Sequence, residues 1–109
     1  MAFIEFKNVR IAGISAGVPK FVASNLHPLE NDGISSDYSP EAFVEATGVL
    51  ERHVSNTLTT SDLCFEAAEK LIADLGWDKK EIEALVFVSQ TADYVLPATA
   101  CILQDRLGL

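Results

Sequence analysis

The residues Ala84-Leu85-Val86-Phe87-Val88 form an uninterrupted apolar run, preceded by Glu83 and followed by the polar loop Ser89 to Tyr94. An apolar run without polar alternation is the pattern of a strand covered on both faces, as in a parallel sheet. Pro97 then stands where the first turn of a further helix is expected, running from Pro97 to Leu107 with Ala100, Leu103 and Leu107 inward and Gly108 as its stop. Open α/β sheets hold ligands at the carboxyl ends of such strands. The chain therefore reads as an α/β unit in which strand 84–88 wants a neighbour on each side.

The remaining elements follow from local signals. Ile4, Phe6, Val9, Ile11 and Ile14 give a broken alternation, a first strand that pairs or turns near Asn8 and closes at Val18-Pro19. Gly13 and Gly17 at its end suggest close backbone contact or a bend. Asn25 to Ser39, with His27-Pro28 and Asn31-Asp32-Gly33, reads as a surface loop. Ser39-Pro40-Glu41 starts a helix with a capping hydroxyl, a proline in its first turn and an acid on the positive dipole end. Ala42, Phe43 and Ala46 give that helix an apolar face, and Gly48 ends it. Val49 to Val54 is a short strand candidate. The clearest stripe is Cys64, Ala67, Ala68, Leu71, Ile72 and Leu75, a helix with Ser61 as N-cap, Asp62 on the dipole, Gly76 as left-handed cap and Trp77 folding back on Ile72. Asp78 and Glu81 have capping-box spacing for one more turn.

With 109 residues, 49% apolar and 22% charged, the chain is globular rather than disordered. No apolar run approaches the roughly 20 residues a membrane helix needs. Glu5, Lys7 and Arg10 interrupt anything like a signal peptide. A net charge of −8 argues against nucleic acid, whose phosphates demand a basic face, and with no long apolar run neither membrane nor nucleic acid is expected as a partner. Cys64 and Cys101 fall in apolar stripes without metal-like spacing and read as reduced core thiols of a cytoplasmic protein; no metal site and no cofactor are expected. Two or three strands fall short of the roughly four to six usual in a sheet. Residues 1–109 thus read as a single incomplete α/β unit, the N-terminal half-domain of a larger protein.

Four stretches in this order, VRIAGISAGVPK, TGVLERHV, TTSDLCFEAAEKLI and LVFVSQTADYVLPATACILQDRLG, resemble the N-terminal part of the β-ketoacyl-acyl-carrier-protein synthase III enzymes. The resemblance runs from about Val9 to Leu109, apart from the Asn25 to Ser39 loop. It implies a thiolase-like fold, truncated before the nucleophile elbow, within a homodimer of duplicated α/β halves. It also implies an acyltransferase of fatty-acid or related lipid and polyketide synthesis. A cysteine takes an acyl group from a thioester, and the acyl group then condenses with malonyl-acyl-carrier protein as carbon dioxide leaves. The nucleophile, histidine and asparagine of the family lie beyond Leu109, so no catalytic residue is assigned here and the 109-residue chain alone is expected to be inactive.

On the substrate side the resemblance singles out Thr47, which is also a helix-end residue, and Leu96. Leu96 matches the position that reaches from one subunit into its partner's acyl pocket; its plain alternative is packing beside Pro97. Asp93 and Tyr94 either join the dimer interface or form a solvated turn. His27 and His53 read as structural histidines. Family members that accept CoA carry Trp-Ile-x-x-Arg before Thr-Gly-Ile, where this chain has Ala42 and Ala46 before Thr47-Gly48-Val49. Alanine can neither stack on adenine nor pair with phosphate, which puts CoA in doubt and favours an acyl-carrier protein as the acyl donor. The alternative reading is a non-catalytic thiolase-like interaction or dimerisation module.

Overall fold

In the computed structural model, residues 5–27 and 39–109 are described. The order of elements is β1 (Phe21–Ser24), α1 (Pro40–Thr47), β2 (Glu51–Val54), α2 (Thr60–Leu75), a 3₁₀ turn (Lys79–Glu81) and α3 (Thr99–Leu107). Ile4 and the turn signals His27-Pro28 and Asn31-Asp32-Gly33 lie wholly or partly outside the described residues.

The helix signals are realised closely. Ser39 Oγ accepts the Ala42 N–H, Pro40 occupies the first turn of α1, and Gly48 closes it at φ 71°. Gly76 ends α2 at φ 64°, and the Trp77 N–H reaches the Ile72 carbonyl at 3.1 Å, the bond of a left-handed cap. Three details differ. The N-cap of α2 is Thr59 rather than Ser61: Thr59 and Asp62 exchange side-chain to backbone bonds in a capping box. Helix α3 begins at Thr99, with Ala98 as its cap, so that Pro97 stands ahead of the helix rather than in its first turn. Asp78 caps its short turn through the Lys80 N–H at 3.0 Å, not through a reciprocal box with Glu81.

The strands differ more. Among the described residues, 5–14 form no strand; Asn8 does turn the chain, at φ 62°. The segment's apolar side chains Phe6, Val9, Ile11 and Ile14 are exposed, and the approach to α2 is made by backbone at the glycines: an added Cβ would stand 2.9 Å from Leu71 Cδ1 at Gly13 and 2.7 Å from the Leu63 carbonyl oxygen at Gly17. The sheet is the antiparallel pair β1–β2, with Phe21 opposite Val54 and Ser24 opposite Glu51. Asn25, expected on a loop surface, is 4% exposed: its N–H bonds Leu50 O, its side-chain amide bonds Val49 O, and its Oδ1 accepts from Arg52 Nε at 2.8 Å. The run Ala84 to Val88 is extended but unpaired, leaving Val86 84% and Val88 88% exposed while Leu85 and Phe87 are half-buried. An apolar run becomes a buried strand only where neighbours accept its backbone bonds, and the described residues supply none.

The apolar residues buried among those described are Ala23, Leu103 and Leu107. Cys64 is half-buried, and Cys101, in the first turn of α3, is exposed rather than in a core. The radius of gyration is 18.2 Å. A compact domain of this length would have about 13 Å. Helices α2 and α3 pack on each other, and that contact positions the loop between residues 89 and 98.

Candidate functional site

The loop that carries Leu96 is rooted on the N-terminal end of α2. Helix α2 starts where it does because Thr59 Oγ1 accepts the Asp62 N–H at 3.2 Å while Asp62 Oδ2 accepts the Thr59 N–H at 3.0 Å. That start places Thr60 and Ser61 against the loop. Thr60 and Thr91 share a hydroxyl contact of 2.7 Å, and Ser89 Oγ accepts the Thr91 N–H at 2.9 Å to tighten the loop's first turn. Ser61 has no exposed surface and donates its hydroxyl to Asp93 Oδ2. The Asp93 N–H in turn points to Thr99 Oγ1, 3.4 Å away at the first residue of α3.

Arg106, in the last turn of α3, closes the cluster. Its Nη1 donates to Asp62 Oδ1 at 2.9 Å and lies 3.5 Å from Ser61 Oγ. The guanidinium carbon sits 4.5 Å from the centre of the Phe65 ring, a cation–π arrangement. The Asp62 carboxyl is held below its ordinary range, first by the Thr59 backbone N–H and then by Arg106. Glu41 on α1 is lowered in the same sense, by its own backbone N–H and by Ser39. Asp93 Oδ1 is buried without a hydrogen-bond partner.

Beyond these anchors the loop is apolar and bare. Leu96 is 83% exposed, with Tyr94 and Val95 exposed beside it. Thr47 closes α1: its hydroxyl donates to Phe43 O at 2.8 Å and accepts the Val49 N–H at 3.3 Å. Among the described residues, no hydrogen bond or ion pair brings Thr47 and Leu96 together. Ala42 is half-buried and Ala46 exposed on α1. His53 Nδ1 is 2.6 Å from Pro19 O, and because a carbonyl can only accept, the ring carries its proton on Nδ1. His27 is exposed. Sequence reasoning passed over Asp93 and Ser61 as a pair, since nothing in a separation of 32 residues announces the contact.

Among the described residues, no group of three or more His, Cys, Asp or Glu side chains gathers as metal ligands, and no helix is long and apolar enough to cross a membrane. No protein-family profile matches the chain. Individual proteins do. It is 39% identical over 102 residues to a β-ketoacyl-[acyl-carrier-protein] synthase III of Bordetella petrii, covering 90% of this chain and 30% of that protein. The same-named protein of Rhodopirellula baltica is 39% identical over 105 residues, with coverage of 95% and 29%. Crystal structures agree. A 3-oxoacyl-(acyl-carrier protein) synthase from Burkholderia xenovorans superposes with a TM-score of 0.69 at 37% identity, over 88% of this chain and 28% of that one. A 3-oxoacyl-(acyl carrier protein) synthase III from Pseudomonas aeruginosa gives 0.69 at 32%, over 89% and 28%. The chain thus spans about 30% of the length of the curated relatives it matches. In sequence and in its thiolase-like fold, the family this chain resembles is β-ketoacyl-[acyl-carrier-protein] synthase III, and it corresponds to a part of such a protein.

Proposed function

We propose that the chain is a segment of a condensing enzyme of the synthase III type, an acyltransferase that joins an acyl thioester to malonyl-acyl-carrier protein in fatty-acid or related lipid synthesis. The observation that carries this is the 39% identity over 90% of the chain to a protein of that name, together with the shared fold. In the reaction a cysteine thiolate attacks the acyl thioester and the donor thiol leaves. Loss of carbon dioxide from the malonyl group then creates an enolate, whose carbon attacks the acyl-cysteine carbonyl and expels the thiolate. Such chemistry needs a stabilised thiolate and donors aimed at the oxyanion. Cys64 lies within helix α2 and Cys101 within α3, and the synthase III reading assigns the nucleophile, histidine and asparagine outside this chain.

Within that enzyme, a cytoplasmic homodimer, Thr47 contacts substrate and Leu96 limits the acyl pocket. The bare apolar side chain of Leu96, on a loop fixed at both roots, supports the second role. Ala42 and Ala46 leave α1 without a ring for adenine or a cation for phosphate, which supports an acyl-carrier protein rather than CoA as donor. The test is to supply the full-length protein with malonyl-acyl-carrier protein and either acyl-CoA or acyl-carrier-protein primers. The expected result is a 3-oxoacyl product with carbon dioxide release, faster from the carrier-protein primer. No product from any thioester would replace this reading with the non-catalytic interaction module.

A further inference from the structure

We infer that Asp93 is the positioning residue that sets where Leu96 stands, through its carboxylate's bond to the buried hydroxyl of Ser61; the specificity consequence rests on the acyl-pocket reading of Leu96. Ser61 sits in the first turn of α2, a helix locked at its start by the Thr59–Asp62 box and at its end by Gly76. A hydroxyl with no exposed surface on such a helix is a fixed point. Asp93 accepts the hydrogen bond of that hydroxyl and at the same time, through its own N–H, holds the first residue of α3. One residue therefore ties the loop to both helices, to α2 by its carboxylate and to α3 by its backbone N–H, near N-terminal ends where a negative charge is favoured by the helix dipoles.

Leu96 follows three residues later, with no hydrogen bond of its own among the described residues. Its position is inherited from Asp93 on one side and Thr99 on the other. The Thr60–Thr91 contact is exposed to water and holds less firmly. A buried carboxylate oxygen without a donor, as at Asp93 Oδ1, is a costly way to fill space. An acceptor facing Ser61 has a purpose that filling does not.

The experiment compares Asp93→Ala, Asp93→Asn, Ser61→Ala and Leu96→Ala in the full-length protein. The profile of kcat/KM against primer chain length is read alongside limited chymotrypsin cleavage after Tyr94. Asparagine still accepts the Ser61 proton, so Asp93→Asn should keep the wild-type profile. Asp93→Ala and Ser61→Ala should lower the preference for the best primer over one two carbons longer by about fivefold and speed cleavage after Tyr94, with the KM for malonyl-acyl-carrier protein unchanged. Ser61→Ala suits a helix and keeps the test alive should Asp93→Ala fail to fold. Wild-type cleavage in both alanine variants would overturn the inference. So would a changed profile in Leu96→Ala alone. Faster cleavage with no change of profile in any variant, Leu96→Ala included, would keep the Asp93 anchor and reject the acyl-pocket reading of Leu96.

Discussion

Ser61 donates its hydroxyl to the carboxylate of Asp93, 32 residues further along the chain, and this contact roots the 89–98 loop on helix α2. The buried serine belongs to a helix whose start is capped two residues ahead of it, at Thr59. Stability of that turn and placement of the loop are therefore linked.

Removing the cap should show first as lost stability. Thr59→Ala breaks the box and should cost about 1 kcal/mol in urea unfolding. Asp62 gives the same turn a pH dependence. Its folded pKa is depressed, so its stabilisation is complete above the unfolded value of about 3.9 and is withdrawn as pH falls through the lowered folded value. The unfolding midpoint should stay level from neutral pH to about 5 and drop below about 4, and Asp62→Asn should make that acid limb shallower. An unchanged acid limb would contradict the role given to Asp62.

Gly17 and Gly13 both face α2 but should not respond alike to alanine. At Gly17 the new Cβ would lie 2.7 Å from a backbone oxygen, Leu63 O, which cannot step aside. At Gly13 it would meet Leu71 Cδ1 at 2.9 Å, the end of a side chain that can rotate. Gly17→Ala should therefore cost about 1–3 kcal/mol and Gly13→Ala clearly less, measured by denaturant midpoints.

Donor choice is testable on α1. Ala46 is exposed and Ala42 half-buried, so the double variant Ala42→Trp with Ala46→Arg places both new side chains at the surface of a helix. It should lower the KM for acyl-CoA by about tenfold or more, the worth of one charge-assisted phosphate contact. The KM for the carrier-protein primer should not move.

Leu96→Phe should shift the preferred primer toward shorter chains, and Leu96→Ala toward longer ones, without changing thermal stability, because the side chain is 83% exposed. A profile indifferent to both would leave Leu96 as a packing residue of its loop.

Cys101, being exposed in the first turn of α3, should react with iodoacetamide ahead of the half-buried Cys64. Cys101→Ser should nevertheless retain condensation at the wild-type rate.

Legibility followed the range of the interaction. The ends of α1 and α2 were readable because Ser39, Gly48 and Gly76 act on backbone groups within one turn of themselves. Thr59 and Ser61 both offer a capping hydroxyl, and only the partner Asp93, distant in sequence, explains why Ser61 turns inward instead. Strand β2 falls inside the expected Val49 to Val54 stretch, whereas the first strand and the Ala84 to Val88 strand were misplaced for the same reason. Phe21–Ser24 is a strand because Glu51–Val54 lies beside it, whereas Ala84 to Val88, more apolar, has no such neighbour among the described residues. The start of α3 moved to Thr99 because a proline can precede a helix as readily as open one. The substrate-side roles proposed for Thr47 and Leu96 rest on family resemblance; no local physics marks these residues.

Asn25 bonds Val49 and Leu50 by side chain and backbone and holds Arg52 as well, so the two ends of the span from 25 to 49 are stitched together. Closing a longer loop costs only about 0.6 kcal/mol for each doubling of its length once its ends are held. Helix α1 lies within that span. Substitutions on its surface, Ala42→Trp and Ala46→Arg included, should leave the register of β1 and β2 untouched. Whatever α1 recognises can change without the sheet taking part.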